Sequence, residues 1–193
     1  MKEKLFDIDS NRWWENAMGV DKSPLLVIAD GYKLLADLGA EYVINTGVDQ
    51  DYLVFPIVFT YRHYIEIQMK GLLHQLYTLM GVQKIVFGHD LKEISDELVK
   101  AYEKYYGNSF DEEVKKYIQE FHSCDESSEA YRYDTRKNGK KIKRNTSHIG
   151  IGKFRKIMDK ISNYLEAIEA QNDNEFENIQ ESKHYYRMEE QYL

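Results

Sequence analysis

Cysteine is nearly absent from this chain. Cys124 stands alone among 193 residues, so neither an intrachain disulfide nor a cysteine-built zinc site is available, and a reducing compartment is expected. Proline (2) and glycine (11) are scarce as well, too few breakers for the many turns of a sandwich or barrel, which favours an all-α fold. Long apolar runs are missing: the longest, from Tyr52 to Phe59, is far too short to span a bilayer and contains Pro56. Glu3, Asp7 and Asp9 interrupt the region where a secretory signal needs an apolar core. No membrane span is therefore expected, and the expected location is cytoplasmic. There is no phosphate loop, HExxH motif, zinc-spaced His/Cys set or serine nucleophile elbow, so neither a metal nor a cofactor is expected.

What is present reads as helices in one domain. Residues 1–22, with Trp13 and Trp14, form an arm whose aromatic pair is expected to dock on the body. Ser23-Pro24 marks a helix start, with the Ser hydroxyl as cap and Pro at the first helical position, and a first helix follows from about 24 to 44. Leu25, Leu26, Ile28, Tyr32, Leu35 and Leu38 supply its apolar positions, while Ala29, Ala36, Gly39 and Ala40 would let another backbone approach. The spacing predicts a long second helix over about 51–80, tolerating Pro56 near its start. Asp90 with Glu93, and Ser109 with Glu112, are capping-box-like starts for two further helices, the first ending near Tyr106 and the second fading at 123–128. Between Tyr131 and Gly152 no helical stripe runs, and Asn138-Gly139 signals a hairpin turn. Helical spacing resumes from Lys153 to about Ala170, before an acidic, Tyr-rich tail over 171–193. The expected domain spans 23–170.

The net charge of −7 conceals a contrast. From Arg132 to Lys160 there are eleven Lys and Arg against two Asp, a surplus of +9, which leaves 15 bases against 31 acids, or −16, elsewhere. Arg132, Arg136, Lys137, Lys140, Lys141, Lys143 and Lys153 are accordingly candidates for phosphate contact, with Tyr131 and Tyr133 placed to stack on bases. A solvated loop whose lysines protect an exposed edge is the plainer reading. Arg144 and His148 are the candidate catalytic pair, since an arginine can hold a phosphate and a histidine can move a proton, with the amides after Gly150 and Lys153 assisting.

On the long helix, Arg62, Glu66, Lys70 and His74 follow at four-residue intervals, with apolar residues on both flanking sides. A helix apolar on both sides is central, so part of this charged row is expected to be buried and paired. His89, before the Asp90 cap, either covers a helix end or joins the row as a switchable donor.

Three stretches carry a family resemblance: Tyr61-Arg-His-Tyr-Ile-Glu-Ile-Gln-Met-Lys70-Gly-Leu-Leu, then Gly88-His-Asp-Leu91, then Ala130-Tyr-Arg-Tyr-Asp134. In this order and spacing, over roughly 50–170, the chain resembles the HEPN superfamily of prokaryotic helical domains. The resemblance implies an up-and-down bundle of four or five helices, here with a short β-hairpin or irregular insertion before the last core helix. It also implies a homodimer tied to RNA or nucleotide handling in toxin–antitoxin, phage-defence or stress settings, with metal-independent RNA cleavage in one branch. That branch uses an Arg followed by a His with four to six residues between them, and pairs two copies across a dimer; between Arg144 and His148 lie three. Arg62, Glu66, Lys70 and His89 match the more widely shared part of the pattern, and with His63 they make a candidate polar row or pocket. A different reading is a non-catalytic dimerisation or protein-interaction module, motivated by the 16 tyrosines.

Overall fold

The computed structural model describes residues 15, 17, 24–135, 138–142, 144 and 147–190, with side chains through 184. The arm carrying Trp13 and Trp14 lies outside the described residues, apart from 15 and 17, as does Ser23. Among the described residues five helices build the fold: α1 (Leu25–Thr46), α2 (Gln50–Leu79), α3 (Leu91–Tyr106), α4 (Glu112–Cys124) and α5 (Ile151–Glu190). It is an all-α bundle, and no described helix is long and apolar enough to cross a membrane. The hairpin signal at Asn138-Gly139 yields no strands among the described residues. One antiparallel bridge, Thr135 to Lys141, closes the turn, and Ile142 N–H donates to the Asp134 carbonyl at 2.8 Å.

α2 is the central helix, packed on α1, α3 and α5. Its apolar residues on both sides, Tyr61, Tyr64, Ile65, Met69, Leu72 and Leu76 among them, are fully buried. Pro56 removes only the bond to the Tyr52 carbonyl, near the solvent-exposed start, and the helix continues through it.

α1 meets α2 through its small residues and Leu26. Ala29, Ala36 and Ala40 are buried, whereas Leu25, Ile28, Leu35 and Leu38, which set the helical spacing in the sequence, are exposed. The reason is distance: helices whose contact face is alanine and glycine pack closely, and that face turns inward. At Gly71 of α2 a β-carbon would lie 2.4 Å from Leu26 Cδ2, so any side chain there would force Leu26 to move.

Helix ends follow local hydrogen bonding. Pro24, with extended backbone (ψ 152°), takes the cap position of α1, one place before the first helical position expected for it, and its carbonyl accepts from Ile28 N–H at 3.1 Å. Asp90 caps α3 through Lys92 and Glu93 N–H. α4 is capped by Asp111, which accepts from Val114 N–H at 2.9 Å, two residues after the Ser109 expected to do so. α5 does not stop at 170. Its apolar stripe fades after Ile168, but Asn172 is fully buried, donating to Gln75 of α2 and accepting from Tyr106 of α3, so polar contacts carry the packing further. The tail stretch to Glu190 continues as helix.

Candidate functional site

The charged row of α2 divides into a buried part and an exposed part. Arg62 and Glu66 are 0% and 2% exposed, whereas His74 faces solvent. Glu66 is a hub: Arg62 Nη1 lies 3.1 Å from Oε2, and Lys70 Nζ (2.9 Å) and His89 Nδ1 (2.7 Å) both reach Oε1. Arg62 ties two loops to α2. Its Nη2 donates to the His89 carbonyl at 2.8 Å, and its Nε donates to the Asp125 carbonyl at 3.3 Å, with Asp125 Oδ2 at 3.5 Å. Lys70 also donates to the Gly88 carbonyl, 2.6 Å away. Gly88 sits at φ 92°, backbone that a side-chain-bearing residue rarely adopts, and this turns successive carbonyls of the 80–90 loop onto Lys70 and Arg62.

Asp125 completes this clamp, and the sequence reading missed it. Its Oδ1 accepts from the N–H groups of Glu129 and Ala130, both at 2.9 Å, so one buried carboxylate folds the loop after α4 and faces Arg62. The sequence signal was an Asp directly after a helix end, in a position suited to an Asx-type turn. Burial by itself pushes the Glu66 carboxyl up, but hydrogen bonds from Lys70 and His89, and their charge, hold it below the ordinary carboxylate range. Burial lowers the Arg62 guanidinium, against the pull of Asp125 and Glu66.

The loop that the clamp holds supports a second arrangement, on the surface. Arg144 donates from Nε to the Ala130 carbonyl (2.7 Å) and from Nη2 to the Tyr133 carbonyl (3.0 Å), while its guanidinium lies 5.1 Å from the Phe55 ring. Arg132 lies 5.2 Å from the ring centres of both Tyr133 and Phe59. Phe59 stacks on His63 (5.9 Å, 9°), and His63 meets Tyr32 edge-on at 4.4 Å. Burial and the neighbouring cations Arg62, His89 and Lys70 push the His63 imidazole down, against Glu66, which favours a neutral ring. The result is a ladder of cations and rings beside α2: Arg132 lies between Tyr133 and Phe59, Phe59 continues to His63, and Arg144, over Phe55, joins it through the Tyr133 carbonyl.

The basic candidates are distributed unevenly. Arg132, Lys140 and Lys141 are exposed beside the ladder, whereas Arg136, Lys137 and Lys143 lie outside the described residues. Arg144 spends its guanidinium on two carbonyls and a ring, as a structural tie. His148 and Lys153 stand elsewhere, at the start of α5, where His148 Nδ1 lies 3.0 Å from Ser147 Oγ. Arg144 and His148 share no hydrogen bond among the described residues. His89, with Nδ1 on Glu66 and its side chain 75% exposed, presents the rest of its ring to solvent. Among the described residues no group of His, Cys, Asp and Glu is arranged to hold a metal ion. Comparison of the chain with protein-family models, with curated proteins and with solved structures finds no match.

Proposed function

We propose that this protein binds single-stranded RNA, or a nucleotide derived from it, along the cation–ring ladder, as a HEPN-like dimer acting in a defence, toxin–antitoxin or stress setting. The alternation of arginines with aromatic rings beside Lys140 and Lys141 carries the reading: rings offer stacking faces to any base, and the cations follow the phosphates. The test is equilibrium binding of single-stranded and duplex RNA in the presence of a chelator, with substrate length monitored. Preference for the single strand is expected, because a duplex hides its base faces; equal or absent binding contradicts the reading. Metal-independent cleavage is the sharper version, and it requires that His148→Ala abolish strand scission while the fold survives. Equal scission in that variant removes His148 from the chemistry.

A second reading, an interaction module, is favoured by α1. Val27, Leu34, Leu35 and Leu38 are 56–62% exposed on one face of that helix, a leucine stripe with no partner among the described residues. The occupant we propose is a second copy of the chain, its α1 against this one. Leu34→Glu with Leu38→Glu is expected to turn a dimer into a monomer in sedimentation equilibrium, since a central apolar anchor carries roughly 2 kcal/mol or more of an interface. A wild-type chain that is monomeric at micromolar concentration contradicts this placement.

A further inference from the structure

A cavity of about 370 Å³ opens between α4 and α5, with Val58 of α2 and Tyr131 also in its lining. Its size lies within the range of small-molecule sites. The inner wall is apolar: Val58, Met158 and Ile161 are almost fully buried, and Phe121 and Phe154 meet edge-on at 5.6 Å. Such a wall of hydrocarbon and rings suits an apolar body. The rim is polar and divided. On one side stand His148, Gly150 and Lys153, at the start of a 40-residue helix with no acidic residue in its first turn; on the other stand Glu120 and Cys124 of α4. The positive end of α5 and the Lys153 ammonium therefore favour an anion on the α5 side, and Glu120 repels it from the other.

We propose that this cavity binds a small amphiphilic carboxylate. Its apolar body lies against Phe121, Phe154, Met158 and Ile161, and its head sits at the first turn of α5 beside Lys153. The two ends are recognised separately: burial of the body provides affinity, and the asymmetric rim fixes the orientation. The proposal goes beyond RNA binding, although its rim shares His148 and Lys153 with the residues considered for strand scission and phosphate contact.

Cys124, the sole cysteine, lines the cavity, so its alkylation reports occupancy at one position. The probe is decanoate below its micelle threshold, added to the full chain during reaction with N-ethylmaleimide. Decanoate is expected to protect Cys124 with about tenfold higher affinity than decanol, the difference being the head-group contact with α5 and Lys153. Acetate, which has the head without the body, is expected to give no protection. Ile157→Trp fills the cavity and should abolish protection. Lys153→Glu, at an exposed position that does not threaten folding, should bring decanoate down to the affinity of decanol while leaving decanol unchanged. Absence of protection by decanoate overturns the proposal, and so does protection that survives Ile157→Trp. Equal affinity for decanoate and decanol in the wild type overturns the assignment of an anion.

Discussion

Glu66→Ala destabilises the fold by about 3–5 kcal/mol, the cost of leaving a buried charge without its partner. Two cations and the His89 imidazole converge on this carboxylate, and Arg62 is fully shielded from water, so removing Glu66 leaves a buried guanidinium with Asp125 as its nearest acid. The urea midpoint should fall at constant slope, since the surface exposed on unfolding is unchanged. Glu66→Gln keeps the shape and part of the hydrogen bonding, so its loss should be smaller. Lys160→Ala, which removes the exposed pair with Glu113, should leave the midpoint almost unmoved.

The pH dependence follows from the same carboxylate. Its value in the folded state is depressed, so the unfolded chain binds the proton more readily, and the contribution is present above the ordinary carboxylate range and lost as pH falls through the folded value. Wild type should therefore lose stability on acidification more steeply than Glu66→Gln. Identical acid limbs would show that Glu66 does not titrate as the geometry requires.

Tyr133→Ala is expected to weaken single-stranded RNA binding by roughly 1–3 kcal/mol, the worth of one stacked base. The ring is half exposed, with Arg132 over it, and its removal leaves the Tyr133 carbonyl in place to hold Arg144. Thermal stability should stay near wild type while affinity falls. Replacing Arg144 itself would confuse the two roles, because its guanidinium fastens the 130–133 backbone.

The helices, the α3 cap at Asp90 and the paired Arg62–Glu66–Lys70 spacing were legible in the sequence because each depends on neighbours within four residues. The clamp was legible only in part. That Arg62 reaches Asp125 and the His89 carbonyl depends on where two loops return to α2, which no local pattern records. Charge counting picked out the basic excursion but does not distinguish Arg144, engaged internally, from Lys140 and Lys141, which face solvent. Which face of α1 turns inward was left open by its sequence for a related reason. Periodicity identifies apolar faces, but α1 has two, and close packing on α2 selected the small one. At α5 the hydrophobic stripe ended before the packing did, because buried Asn172 continues it with hydrogen bonds.

The most direct test of the RNA-binding account is the salt dependence of oligouridylate binding to the wild type and to Lys140→Gln/Lys141→Gln. Each phosphate contact on a single strand contributes roughly 0.7 to the slope of log affinity against log salt, so losing two should make that slope shallower by about 1.4. A steep wild-type slope that flattens by this amount is the predicted result. No binding at low salt, or a slope that the double substitution leaves unchanged, would contradict the account.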